Sequence, residues 1–351
     1  CLVGSEMCIR DRDLPDFLGV ILDAGYMLRN RIEDETVRKI YTINVIRSLI
    51  YLGRRINESI IDEAMTLMSL KDEMLLRYQA ALAQALMEFY IRNGLWSYAD
   101  ELAERLEKVW ESLENINWDE VIDQLNKKGI NEDKDQLIEV TKYFVSSTLA
   151  KYYHGIFDIE KEQKYADLAY DTMIKRWGGE EEAKENSPNN YFLELLRRDA
   201  INVALEEDLG KALERVVRDS EEAFRYSHRI ATAIVQIIMR EYLIASAYLG
   251  RLDKALKLVN DDPRLRYPFL SMDSLFLFGL YSLFHYLTGG KFLDKVREYT
   301  KMVTNNVVLS FDKLTIADEI LRSVTEKPVC SRAINEVQKG LVRDLGLNES
   351  E

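Results

Sequence analysis

Cysteine, histidine, proline and glycine are all scarce in this chain of 351 residues, and each scarcity removes a class of protein. The three cysteines stand at Cys1, Cys8 and Cys330, a set too sparse for a disulfide framework or a cysteine-rich zinc site. That usage fits a reducing, cytoplasmic compartment. His154, His228 and His285 lie far apart, without Glu or His at helical ligand spacing, so neither a metal nor another cofactor is expected. With 5 prolines and 16 glycines, a sheet-rich or loop-rich fold is disfavoured.

Catalytic motifs are also missing. Gly289-Gly290-Lys291 lacks the further glycines and the hydroxyl of a phosphate loop. No Gly-x-Ser-x-Gly nucleophile turn occurs, and Asp261-Asp262 is followed by Pro263 rather than by a third magnesium-holding carboxylate. Cys330 has no basic neighbour in sequence. The chain therefore reads as non-enzymatic; an enzymatic reading needs a buried polar pocket with converging carboxylates from distant residues.

Long apolar runs are wanting too. The most apolar stretch, Ser271 to Thr288, contains Asp273 and His285 and lacks basic flanks on one side, which points to a buried helix instead of a membrane span. The net charge of −13 repels nucleic acid. A basic stretch including Arg29, Arg31, Arg38, Lys39 and Arg47 is offset by Glu33, Asp34 and Glu35 and reads as solvated helix faces.

Residues 1–12 (CLVGSEMCIRDR) resemble, when back-translated, a transposase adapter used in sequencing libraries, and are set aside from the fold. On this reading the natural chain starts near Asp13, the true N-terminus is truncated, and Cys330 is the one native cysteine. Glu6 and Asp11 cancel Arg10 and Arg12, so the net charge is unchanged.

Helical periodicity is what the remaining sequence does have. Val37, Ile40, Tyr41, Ile43, Val45, Ile46, Leu49 and Ile50 form apolar stripes on two sides of one helix, as do Ile234, Val235, Ile238, Met239, Tyr242, Leu243 and Ala247. Helices apolar on two faces sit between neighbours. Single-faced helices alternate with them: Leu102, Leu106, Val109, Trp110 and Leu113 form one stripe, with Glu101, Glu104, Glu107, Lys108 and Glu111 turned away. The spacing predicts about sixteen helices, with 306–311 the one candidate strand. Residues 13–177 form an N-terminal subarray, 178–190 an acidic linker loop, and 191–351 a C-terminal subarray capped by the helices of 316–347. Asp261 to Pro268, a second longer loop carrying two prolines, ends another block.

Self-similarity organises these helices. Tyr51-Leu52-Gly53-Arg54 recurs as Tyr248-Leu249-Gly250-Arg251, and Tyr98-Ala99-Asp100 as Tyr165-Ala166-Asp167. Gly53 and Gly94 are 41 positions apart, and Gly250 and Gly290 are 40 apart, a spacing that suits one helical hairpin per unit. In the segment Leu76 to Val109, the residues Leu86, Tyr90, Gly94, Trp96 and Ala99 give a large–aromatic–glycine–large–small pattern that resembles a tetratricopeptide repeat. A second unit keeps Gly250, Leu252 and Ala255 but has Ser246 for the aromatic; a third keeps Tyr286, Gly290 and Phe292 but has Lys295 for the small residue; the first keeps Gly53 alone.

The resemblance implies an all-α fold of stacked antiparallel helical hairpins forming a tetratricopeptide-repeat-like α-solenoid. It also implies a concave groove lined by first helices, whose side chains would include Arg47, Gln84, Glu88, Arg92, Arg240 and Tyr248. The expected function is a scaffold that binds a protein or peptide partner in that groove. The alternative is a C-terminal sensor or regulatory module of a larger signalling ATPase or transcription regulator whose N-terminal domain is missing.

Overall fold

A computed structural model describes residues 22–51, 58–205, 208–270 and 274–299. Every regular element among them is helical, so the chain is all-α. The order is α1 (22–28), α2 (Glu35–Tyr51), α3 (Glu58–Ser69), α4 (Leu76–Arg92), α5 (Trp96–Ser112), α6 (Trp118–Lys127), α7 (Lys134–Gly155) and α8 (Ile159–Trp177). There follow α9 (Glu180–Asn186), α10 (Pro188–Leu205), α11 (Leu209–Arg225), α12 (Thr232–Tyr248), α13 (Leu252–Asp261), α14 (Pro263–Leu270), α15 (Ser274–Leu287) and α16 (293–299). The chain divides into two compact units between Arg176 and Trp177, at the end of α8. The candidate strand at 306–311, the capping helices at 316–347, Cys330 and the turn at Gly53 lie outside the described residues.

In the first unit the two-sided helix expected at Val37–Ile50 is α2, with Ile40, Ile43, Val45, Ile46, Leu49 and Ile50 all buried. Its neighbour α4 packs against α2 on one side and α7 on another. Small residues let α4 and α7 approach closely. Ala80, Ala81, Ala83 and Ala85 of α4 are buried, as are Ser146, Ser147, Thr148 and Ala150 of α7. Three of the buried hydroxyls bond within α7: Thr141 donates to the Leu137 carbonyl at 2.7 Å, Ser146 to Lys142 at 2.8 Å and Thr148 to Phe144 at 2.6 Å. Asp133 caps α7 by accepting from the Gln136 amide at 2.9 Å. Around α6, Leu75, Leu113, Trp118, Val121, Leu125 and Leu137 close a small core with Ile40.

In the second unit α10 pairs with α11, α11 packs on α12, and α12 pairs with α13 and touches α15. Rings hold successive helices together: Phe224 of α11 meets Tyr242 of α12 edge-on, with centroids 5.2 Å apart. Cations in the turns are tied back to the preceding second helix. Arg251 reaches Glu214 of α11 at 2.7 Å, and Lys291 reaches Asp253 of α13 at 2.6 Å. The most apolar stretch of the chain supplies α15, where Leu277, Leu280, Tyr281, Leu283 and Phe284 are buried. Among the described residues no helix is long and apolar enough to cross a membrane.

Two expected loops are helices. Within 178–190, Glu180–Asn186 forms α9, and Pro188 opens α10. Glu180, Glu181 and Glu182 fill the first turn of α9, where carboxylates oppose the positive end of the helix dipole. Ala183 is buried, and the Lys184 ammonium is held between Glu181 and Glu222 at 2.8 Å each. Acidity here marks a helix start, with the polar side chains engaged and not simply solvated. Likewise Pro263 opens α14, where a missing N–H breaks no helical bond, and Asp262 accepts from the Arg264 amide at 2.9 Å.

Candidate functional site

The hairpin turns recur more faithfully than the side chains around them do. After α4, Gly94 adopts φ 66° and the Leu95 amide donates to the Tyr90 carbonyl at 2.8 Å. After α12, Gly250 has φ 69° and Arg251 donates to Ser246 at 2.7 Å; after α15, Gly289 has φ 64° and Gly290 donates to His285 at 2.8 Å. Each is a helix stop in which a left-handed residue lets the next amide reach back five positions. Gly289, not Gly290, therefore stands in the place of Gly94, and the third unit is shifted by one residue from the register read in the sequence.

Gly129, after α6, repeats the geometry with φ 77° and Ile130 donating to Leu125 at 3.0 Å, and a further turn has it without glycine. Phe157 follows α7 with φ 61°, and the Asp158 amide donates to the Tyr153 carbonyl at 3.0 Å. By this register Tyr153 is the counterpart of Tyr90, and Glu162 occupies the small-residue position held by Ala99 and Ala255. Glu162 is buried and pairs with His154 Nδ1 at 3.0 Å. The matching Tyr-Ala-Asp tripeptides at 98 and 165 are out of register, because Tyr98 lies four residues after its turn residue and Tyr165 lies eight after. The α7–α8 hairpin escaped the sequence reading because both of its small residues are replaced by large ones.

That hairpin is fastened to α5 by a tyrosine–carboxylate cluster. Glu107 accepts from Tyr153 Oη at 2.6 Å and Tyr165 Oη at 3.3 Å, and lies 3.5 Å from Lys161 Nζ. The Tyr153 and Tyr165 rings stack 5.6 Å apart, and Trp110 meets Tyr165 edge-on. Chiefly the Tyr153 hydrogen bond, with help from Lys161, holds the Glu107 carboxyl below the usual carboxylate range. Burial pushes the Tyr165 phenol up to about 12. Glu107 thus faces inward, contrary to its expected place on the outer face of α5. On the same hairpin, Tyr152 donates to Asp100 at 2.7 Å.

Of the six groove residues, Arg47 lies half-buried on α2, and Gln84 and Glu88 lie half-buried one turn apart on α4. Glu88 pairs with Lys151 of α7 at 2.8 Å, so the row of first helices α2, α4 and α7 brings a fourth polar residue beside them that the sequence did not mark. Arg92 closes α4; its side chain lies outside the described residues. Arg240 and Tyr248 are on α12 in the second unit, where Arg240 is mostly buried with its Nε 3.2 Å from Glu241.

Converging carboxylates do occur, in the second unit. Asp199 of α10 and Asp219 of α11 are both buried. Asp219 is gripped in a fork by Arg218, Nε to Oδ1 at 2.6 Å and Nη2 to Oδ2 at 3.1 Å. Burial first, then the Asp219 charge and hydrogen bond, push the Asp199 carboxyl up to about 8, against the pull of Arg215 and Arg218. Asp199 thus favours its protonated form, hydrogen-bonded to Asp219, while its second oxygen is buried without a hydrogen-bond partner among the described residues. Among the described residues no group of three or more His, Cys, Asp or Glu side chains is placed to hold a metal ion.

No family model matches the chain, and neither a curated protein nor a solved structure matches it.

Proposed function

We propose that the chain is a cytoplasmic, tetratricopeptide-repeat-like scaffold that binds an extended segment of a protein partner along the first-helix row of its first unit. The supporting observation is that row itself: α4 is flanked by α2 and α7, and its half-buried Gln84 and Glu88 stand beside Lys151, with Arg47 on α2. Backbone and side chains are held by packing on both flanks, so little conformational entropy is lost when a peptide lies across them. Side chains of both charges and amide groups suit main-chain and polar contacts, with affinity concentrated in a few of them. Non-enzymatic binding is the reading, because the converging carboxylates of the second unit are joined to each other and to Arg218.

The experiment selects binders from a displayed library of random short peptides on the whole chain, then measures their affinity for Arg47→Ala, Glu88→Ala and Lys151→Ala variants. Losses of at least about 10-fold for one or more variants support the reading. Unchanged affinity across all three contradicts it.

A further inference from the structure

Five described turns share one backbone geometry, the turn at Gly129 (φ 77°, with the Ile130 amide donating to the Leu125 carbonyl at 3.0 Å) among them, and four of the five use glycine at the left-handed position. The fifth places a phenylalanine there. A bulky side chain is an outlier in that region, since its Cβ crowds the following carbonyl, and such strain clusters at functional positions. Packing does not account for it, because Phe157 is 60% exposed.

The same end of the first unit gathers other large apolar side chains. Leu95 and Trp96 are each 37% exposed, Tyr98 49% and Ile156 42%. A contact joins the two turns that carry them. Trp96 lies against Gly155, so closely that a Cβ there would stand 2.9 Å from its ring. Tyr98 stacks on Tyr90 with centroids 5.5 Å apart. Phe157 and Ile156 directly follow Gly155. Scattered single apolar residues need no explanation; a group of large apolar side chains on two turns in contact does.

Among the described side chains the charge around the patch is mainly acidic. Asp100, Glu101 and Glu104 follow Tyr98, and all are exposed; Asp158 and Glu160 follow Phe157. The cations among them are engaged, Arg105 with Glu101 at 2.8 Å and Lys161 beside Glu107 and Tyr153. A second copy of this chain, with net charge −13, would bring like rims together.

We propose that the turns at 93–98 and 155–158 form a second docking surface, separate from the first-helix row, for a basic peptide segment of another protein. Its aromatic or leucine anchor lies against Phe157 and Trp96 while flanking lysines or arginines meet the carboxylate rim. Phe157 is kept at a strained position because it is the exposed anchor of that contact.

The test uses the peptides recovered from the displayed library on the whole chain, synthesised with a fluorescent label and measured by anisotropy. A class of them should carry an aromatic or leucine residue beside lysine or arginine. Phe157→Gly should weaken that class at least about 10-fold while leaving the thermal midpoint unchanged or raised, since glycine suits the turn. Asp158→Asn combined with Glu160→Gln should weaken the class at low salt and less so at high salt. The proposal is overturned if no peptide distinguishes wild type from Phe157→Gly, or if those that do lack basic residues. It is also overturned if the wild-type chain sediments as a dimer that Phe157→Gly abolishes. Sensitivity to Glu88→Ala reports the first-helix row alone, so either surface can fail without the other.

Discussion

Replacing Asp199 by asparagine should stabilise the protein, and the gain should depend on pH. In the folded chain the Asp199 carboxyl is pushed up to about 8, against an ordinary value of 3.8. Below about pH 4 the acid is protonated in both states and contributes no pH dependence. Between about pH 4 and pH 8 the folded state holds a proton that the unfolded state has released, so stability falls by about 1.4 kcal/mol per pH unit. Above that range both states are ionised and the loss levels off. At neutral pH the accumulated penalty is about 2–4 kcal/mol, the lower end allowing for relaxation of Asp219, Arg215 and Arg218 around the site. Asparagine is isosteric with the protonated acid, and its amide donates to Asp219 without needing a proton from solvent. Urea unfolding followed by helical circular dichroism, at several pH values from about 5 to 8, measures the difference. The variant should be the more stable, by a margin that widens as pH rises. A variant less stable than wild type throughout, or a gain independent of pH, refutes the buried proton-sharing pair.

Three further outcomes follow from the turns and the tyrosine cluster. Gly250→Ala meets no neighbour, so its destabilisation should report the left-handed backbone alone, at about 1–2 kcal/mol by chemical denaturation, whereas Phe157→Gly should be neutral or stabilising by up to about 1 kcal/mol. Gly155→Ala should push Trp96 off its seat, destabilising the first unit by about 1–3 kcal/mol and shifting tryptophan emission; unchanged emission contradicts the contact. Tyr153→Phe removes the strongest donor to Glu107 and should lose about 1 kcal/mol at neutral pH. Glu107 contributes stability above the ordinary carboxylate pKa that is lost as pH falls through its depressed value, so the variant should show a smaller acid-induced loss than wild type.

Period and punctuation made most helices legible. The two-sided stripes of α2 and α12 read correctly because apolar residues recur on both faces, and Gly94 and Gly250 mark turns whose backbone requires them. What the sequence hid was chemistry that depends on neighbours distant in the chain. Phe157 does not look like a turn residue, yet its backbone repeats that of the glycines, and Glu162 does not look like a core residue until His154 is beside it. Glu107 reads as one more solvated carboxylate in an acidic helix, and only the arrival of Tyr153 and Tyr165 from another hairpin turns it inward. The runs 178–190 and 261–268 were misread because prolines and acidic clusters signal helix starts as well as loops. Asp199 and Asp219 stand twenty positions apart on different helices, and no spacing rule joins them. Nothing in the sequence pairs Lys151 with Glu88, and no motif marks the large exposed side chains of the turns at 93–98 and 155–158.

The most direct measurement of the central claim, that the first unit carries peptide-docking surfaces, is hydrogen exchange of the whole chain with and without a selected peptide at saturation. The account requires slowed exchange in α2, α4 and α7 for peptides sensitive to Glu88→Ala, and at 93–98 and 155–158 for peptides sensitive to Phe157→Gly. Protection confined to residues beyond Arg176, with none in these segments, would contradict it.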